Sequence, residues 1–355
     1  MMKGAIIGCG RISYKHVEAF EKNKALVELV ATCDIDQGKA IEKSGGKAKV
    51  YTDYKKLLTE IKPEFVTIAT WSGNHAQIAV DCLKAGAHVL VEKPMALSTK
   101  DADAMINTAK ECNKKLAVCF QNRFNTPVQK TYEALKHNRF GKMLHGMVQV
   151  RWNRNDSYYK EAVWRGTWDQ DGGTLMNQCT HGIDLLQWLM GEDVVRVHGV
   201  TRKFLRNIEA EDFGSAMLEF KSGAVGIVEG SADVYPKNLS EILSLFGEKG
   251  SVVIGGLAVN KIEAWRFSDA EQVGDVESKI LDPNAKDPDS VYGYGHPAML
   301  ADFIDAIKND REPFVSGAKG KKALEIILAI YKSMKDKKPV DLPIDFGTKE
   351  MKGVL

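Results

Sequence analysis

Most of the signatures that announce a chemistry at a glance are missing from this chain. There is no H-E-x-x-H and the eight histidines are dispersed, so no metal site is expected. A phosphate-binding P-loop and the elbow of a serine hydrolase are absent too. The six cysteines (Cys9, Cys33, Cys82, Cys112, Cys119 and Cys179) form no C-x-x-C and fall mostly in apolar segments, a usage that suits small buried hydrophobes in a reducing compartment. No apolar run approaches the ~20 residues of a membrane span, and the stretch from Met1 to Ile7 is too short for a secretory core. A cytoplasmic protein with no membrane partner is the expectation. An excess of one charge is also lacking. The net charge is +2 with no basic stripe, which removes the long-range field of a nucleic-acid binder.

What is present is length and rhythm. At 355 residues the chain exceeds what one hydrophobic core usually serves, so two domains are expected, 1–122 and 123–355. In the first, strand-like runs at Gly4–Ile7, Val27–Cys33, Lys49–Tyr51, Phe65–Ala69, His88–Val91 and Ala117–Phe120 alternate with amphipathic stretches such as Asn74–Ala85 and Ser98–Asn113, the latter N-capped by Ser98. Six such strands match a parallel dinucleotide-binding sheet. After Phe120 the rhythm changes to a helix over Pro127–Asn138, a strand over His145–Trp152, a polar aromatic loop, and a helix over Gly173–Met190. From Val194 to Phe267 short alternating runs read as an antiparallel sheet with a hairpin across Lys221-Ser222-Gly223. Gly274–Tyr294, rich in Asp, Pro, Ser and Gly, reads as a long loop, and helices over Pro297–Lys308 and Gly320–Lys335 close the chain. The fold class is α/β.

Three segments carry chemistry. Gly8 and Gly10 follow the first strand, where the missing Cβ lets backbone approach a pyrophosphate and the next helix offers its N–H groups. Ser13 stands where the usual third glycine would be. Asp34 ends the second strand, placed to accept both ribose hydroxyls, and with Asp36 it would repel the extra phosphate of NADP, so NAD is expected despite Lys39 nearby. In Val89-Leu90-Val91-Glu92-Lys93-Pro94 a lysine projects from the carboxyl edge of the sheet, where it can orient a substrate hydroxyl and help relay its proton. Asn177 and His181 are four apart on the expected helix and share a face. An imidazole with an ordinary pKa of ~6.5 suits proton removal as hydride leaves. Together these segments suggest a nicotinamide-dependent oxidoreductase. The loop from Arg151-Trp152-Asn153-Arg154 through Tyr158-Tyr159 to Trp164-Arg165 mixes guanidinium groups with flat rings, as an anionic, ring-bearing ligand would require, or as a buried interface would.

These residues in this order resemble the Gfo/Idh/MocA oxidoreductases along essentially the whole chain, the Glu92-Lys93-Pro94 triplet being the most specific element. The resemblance implies a Rossmann domain followed by an α/β domain with a large, mostly antiparallel, open-faced sheet, often used for oligomerisation, and NAD(P)-dependent oxidation of a sugar or polyol hydroxyl. It implies cofactor contacts at Gly8, Gly10, Arg11, Ile12, Asp34, Ile35, Thr70, Asn74, His75, Glu92, Lys93 and Gln121, and catalytic roles for Lys93, His181 and Asn177. The family usually has an aspartate where this chain has Asn177, which cannot ionise to support an imidazolium. Trp164 to Gly191 looks like the subgroup of WlbA/WbpB type that oxidises UDP-N-acetylglucosaminuronate at the C3 hydroxyl. That likeness implies substrate contacts at Arg123, Tyr158, Trp164, Arg165, Asn177 and His181, with a nucleotide sugar as partner. A myo-inositol or simple sugar dehydrogenase is the competing enzyme reading, and a catalytically silent NAD-binding sensor is the competing reading of another kind. The broad sheet, with one face not obviously covered by helices, predicts a homodimer or homotetramer.

Overall fold

The computed structural model describes residues 1–281 and 291–355. They form two compact units, Met1–Gln121 with Gly295–Lys321, and Asn122–Tyr294 with Lys322–Leu355. The expected division at 122/123 differs from this in two respects, because Asn122 falls in the second unit and 295–321 belongs with the first.

The first unit is a six-stranded sheet of β1 (Met2–Ile7), β2 (Val27–Cys33), β3 (Lys49–Tyr51), β4 (Phe65–Ile68), β5 (His88–Val91) and β6 (Leu116–Val118). Their order is β3-β2-β1-β4-β5-β6 with every pair parallel, the doubly wound arrangement whose ligands sit at the carboxyl ends of the strands. Helices cover both faces, so Ala5, Ile6, Val66, Ile68 and Val89 are each fully buried and the strands read as continuous apolar runs. Ser98 caps the helix Thr99–Glu111 by accepting from the Asp101 N–H at 3.0 Å. The helix His296–Lys308 completes the unit: the Pro297 carbonyl accepts from Asn23 at 2.9 Å, and Phe303 meets Phe65 edge to face at 6.1 Å. Just beyond it, the Val315 carbonyl accepts from the Val118 N–H at 3.0 Å.

The second unit holds an eight-stranded sheet of β7 (Met143–Arg151), β8 (Val194–Arg202), β9 (Phe213–Phe220), β10 (Val225–Ser231), β11 (Ser240–Gly247), β12 (Gly250–Gly255), β13 (Lys261–Phe267) and β14 (Val340–Asp341), in the order β13-β12-β11-β7-β10-β9-β8-β14. All neighbours are antiparallel except β7 and β10. The expected hairpin joins β9 to β10, with the Phe220 N–H bonded to the Ala224 carbonyl at 2.9 Å and Gly223 at φ +88°. One face of the sheet is covered by the helix Thr180–Leu189 and by the later part of Gly317–Asp336. Close approach depends on glycine here: a Cβ on Gly146 would sit 2.8 Å from Leu186, and one on Gly199 2.6 Å from Ile330. The opposite face leaves Val200, Met217 and Ile227 exposed, and Leu144 is exposed at the bulge where β7 begins.

The segment expected as one helix over Gly173–Met190 is two, Thr174–Asn177 and Thr180–Leu189. Both the Gln178 and Cys179 N–H groups bond the Thr174 carbonyl, at 2.9 and 3.1 Å, and the second reach, one residue longer than an α-helical bond, shifts the register. Of the expected loop 274–294, residues 282–290 lie outside the described ones, and a short turn of helix, Glu277–Ile280, precedes them. Among the described residues no helix is long and apolar enough to cross a membrane. All the cysteines are free thiols, and Cys112 alone is not buried.

Candidate active site

In the first unit the candidate site is built around the turn that leaves β1. Gly8 has φ +95°, and a Cβ there would lie 2.4 Å from the backbone of Ala69, so only glycine fits. A Cβ on Gly10 would meet nothing within 4 Å, which leaves the open approach that a pyrophosphate needs. Ser13 closes the turn that a third glycine would otherwise make, its hydroxyl donating to the Gly10 carbonyl at 2.6 Å. Asp34 is tied into the same turn: one carboxylate oxygen accepts from the Cys9 N–H at 2.7 Å, the other from the Asp36 N–H at 2.9 Å. A carboxylate held in this way at the end of β2 suits the ribose diol of NAD. Lys39, the residue that would have favoured NADP, lies 3.6 Å from the Asp36 carboxylate. Arg11 and Ile35 are exposed, and Ile12, Thr70 and Asn74 are half-buried.

His75, Glu92 and Gln121 are placed differently, being at most 5% exposed. The ring nitrogens of His75 lie 2.8 Å from the Pro94 carbonyl and 3.1 Å from the Thr70 carbonyl, so this imidazole ties together the loops that follow β4 and β5. Glu92 turns its carboxylate inward to His16, at 3.0 Å, and accepts the Lys93 N–H at 3.2 Å. Lys93 itself is half-buried at the carboxyl end of β5 and precedes a cis peptide bond to Pro94.

In the second unit the short helix Asp156–Lys160 is capped by Asn155, which accepts from the Tyr158 N–H at 3.1 Å. The Tyr158 ring packs against the guanidinium groups of Arg165, at 4.0 Å, and Arg154, at 5.3 Å. Burial pushes the Tyr158 hydroxyl up and the Arg154 guanidinium down from their usual ranges. Arg165 is also paired with Glu161 at 2.7 Å, and Trp164 stands beside it at 5.6 Å. Arg123, expected among the substrate contacts, is 1% exposed and donates to both oxygens of Asp184 at 2.7 Å with its plane over Trp188, which makes it part of the packing beneath helix Thr180–Leu189.

His181, 8% exposed, opens that helix. Asn177 stands before the register shift. Its amide donates to the Asp171 carboxylate, and its oxygen accepts from Gln178 at 2.7 Å, while Gln178 also donates to the Tyr158 hydroxyl at 3.0 Å. The other Asp171 oxygen accepts from the Gly166 N–H at 2.8 Å. Asp171, Gln178 and Glu211 were not singled out from the sequence. Asp171 lies outside any helical or strand periodicity, so no spacing rule reaches it, although the acid-Gly-Gly run that precedes a helix was a usable signal. Glu211 is fully buried beneath the turn, accepting from the Leu175 N–H and from the Tyr331 hydroxyl, both at 2.9 Å, and burial pushes its carboxyl up to about 8.

Comparison with known proteins agrees with this architecture. Residues 2–120 match the Gfo/Idh/MocA oxidoreductase family's NAD-binding Rossmann fold, and residues 132–342 match its C-terminal alpha/beta domain. Among solved structures, the WlbA dehydrogenase of Bordetella pertussis in complex with NADH and UDP-GlcNAcA superposes with a TM-score of 0.87 at 34% identity, over 97% of this chain and 98% of that one. The WlbA enzyme of Chromobacterium violaceum, with the same two ligands, also gives 0.87, at 37% identity over 97% of both chains. Among curated proteins, the myo-inositol 2-dehydrogenase of Thermotoga maritima is 26% identical over 347 residues, 96% of this chain and 98% of that one. The chain therefore belongs to the Gfo/Idh/MocA oxidoreductase family, as an NAD-dependent dehydrogenase of its sugar and polyol class.

Proposed function

We propose that the protein oxidises the C3 hydroxyl of a nucleotide-sugar acid of the UDP-N-acetylglucosaminuronate type to the 3-keto sugar. The observation that carries this reading is the 34–37% identity, across 97% of the chain, to two WlbA dehydrogenases crystallised with UDP-GlcNAcA, against 26% to the inositol enzyme. The half-buried cluster of Arg154, Tyr158, Trp164 and Arg165 supports it, since guanidinium forks and flat rings suit a carboxylate, a diphosphate and a uracil better than an uncharged cyclitol.

The oxidation removes the carbon-bound hydrogen as hydride and the hydroxyl hydrogen as a proton, and NAD supplies the hydride acceptor. His181 takes the hydroxyl proton, Lys93 donates to the substrate oxygen and fixes its orientation, and Asn177, held by Asp171, hydrogen-bonds the sugar or the nicotinamide amide. Gly8, Gly10 and Asp34 hold the pyrophosphate and ribose. We assign Tyr158 and Arg165 to the charged part of the nucleotide sugar and Arg123 to the support of the helix that carries His181.

The test is NADH formation at 340 nm with UDP-N-acetylglucosaminuronate, UDP-N-acetylglucosamine and myo-inositol in parallel, with and without a 2-oxo acid to reoxidise retained NADH. Turnover of the uronate alone supports the reading. Turnover of myo-inositol in its place moves the assignment to the inositol dehydrogenases, which are also numerous among the curated relatives.

A further inference from the structure

Beneath the carboxyl end of β5 lies a cluster of ionisable groups that the proposed reaction does not use. His16, from the helix Ser13–Lys22, and His296, at the start of His296–Lys308, converge on the carboxylate of Glu92. The His16 Nε2 is 3.0 Å from Glu92 Oε1, and the His296 Nε2 is 3.9 Å from the same oxygen. The two rings meet edge to face at 5.8 Å, and all three residues are at most 5% exposed. Glu92 Oε2 accepts the main-chain N–H of Lys93 at 3.2 Å. Cys119 brings its Sγ within 4.8 Å of the His16 nitrogen and the Glu92 carboxylate.

A buried carboxylate persists only where bonds to its charged form offset desolvation. Burial raises the Glu92 carboxyl, but the His16 hydrogen bond, with His296 close behind it, outweighs burial and holds the group well below the usual carboxylate range. Cys119 does not compete, because burial and the neighbouring Glu92 charge keep its thiol protonated. The strand end therefore carries a fixed anion gripped by two imidazoles, and the next residue along is the proposed hydroxyl-orienting lysine.

We propose that His16, Glu92 and His296 form a buried clamp that positions Lys93, His16 and His296 acting as positioning residues that touch neither substrate nor cofactor. The clamp fixes the carboxylate, the carboxylate fixes the Lys93 main chain, and His75 secures the far side by its contact with the Pro94 carbonyl. Errors of position near a reacting atom are costly, about 10²-fold for a displacement on the order of 1 Å.

The inference rests on the catalytic role proposed for Lys93 but not on the substrate, and its test keeps the two apart. Amide hydrogen exchange of the peptide containing Lys93 is measured in the full-length enzyme alongside its His16→Leu, His16→Gln and His296→Phe variants, together with NADH affinity by fluorescence. The clamp predicts faster exchange confined to that peptide in His16→Leu, with recovery in His16→Gln, whose amide still donates, and NADH affinity within about twofold of the original. With whichever substrate turns over, kcat should fall ~10-fold or more in His16→Leu at unchanged KM. If His16→Leu does not fold, His296→Phe, which alters the longer contact, carries the same test. Wild-type exchange and kcat in the folded variants would overturn the clamp, as would a stoichiometric metal ion lost on removing Cys119. Silence on every substrate with altered exchange would sink the proposed reaction and leave the clamp standing.

Discussion

Asp171 accepts a hydrogen bond from the side-chain amide of Asn177, and so a carboxylate six residues earlier stands behind the position where the family resemblance leads one to expect an aspartate. The bond settles which end of the Asn177 amide faces which neighbour: its nitrogen is committed to Asp171, its oxygen to Gln178. Asp171→Ala should leave the Gly166 N–H and the Asn177 amide without their acceptor, at a cost of ~1–3 kcal/mol each where buried. Asp171→Asn should keep the fold and lower kcat ~10-fold or more, the amide orientation being lost. Urea denaturation with steady-state kinetics on both variants checks this, and full activity in a folded Asp171→Asn enzyme would falsify the role.

Lys93→Ala is expected to lower kcat by roughly 10²–10⁴-fold, with NAD affinity changed far less. Single-turnover hydride transfer separates that chemical loss from slow product release. Near-normal turnover would exclude Lys93 from proton transfer.

Asp34 should set cofactor preference. Its carboxylate is fixed by two main-chain N–H groups, so it cannot swing away from a 2′-phosphate placed near it. Asp34→Ser should narrow the NAD over NADP ratio of kcat/KM by ~10-fold or more. An unchanged ratio would point to another discriminator.

Glu211 makes stability depend on pH. Its folded pKa is raised to about 8 from an ordinary 4.5, so between those values the folded chain holds a proton that the unfolded chain has released. Stability from this group is complete below about 4.5 and is lost as pH rises through about 8. The expected effect is on the order of a few kcal/mol. Glu211→Gln, which mimics the protonated acid, should flatten the decline in thermal midpoint between pH 5 and pH 8.5. A slope identical to the original's would show that the buried acid is already ionised.

The open face of the eight-stranded sheet should be covered by a second copy of the chain. Leu144, Val200, Met217 and Ile227 are each at least 38% exposed on or beside that face, and such apolar patches usually mark an interface. Sedimentation velocity should show a dimer or tetramer, and Met217→Lys with Ile227→Glu should dissociate it. A monomer at micromolar concentration for the original chain would rule this out.

How far the sequence could be read depended on burial. β2, β3 and β5 fall where the sequence places them, and β5, buried from Val89 to Val91, shows why: a parallel strand covered on both faces has no polar side to blur its ends. The places of Lys93 and Asp34 were readable because a strand end is a position that spacing can locate. Asp171 and Glu211 were not, since their places are set by contacts across a loop rather than by any period. The break after Asn177 also escaped, because a one-residue change in hydrogen-bond reach leaves no mark on composition. Arg123 looked like a ligand contact for want of knowing that Asp184, on a helix far along the chain, would meet it.

The return of residues 295–321 to the first unit has a bearing on how such a gene can be recombined. Truncation at Gln121 would leave Phe65 and Asn23 without Phe303 and the Pro297 carbonyl, and would strip Val118 of its partner at Val315. No single crossover can therefore exchange the nucleotide-binding half for that of a relative. A working chimera has to carry two separate stretches of the same parent, and modularity in this chain belongs to the pair of stretches rather than to the amino-terminal segment alone.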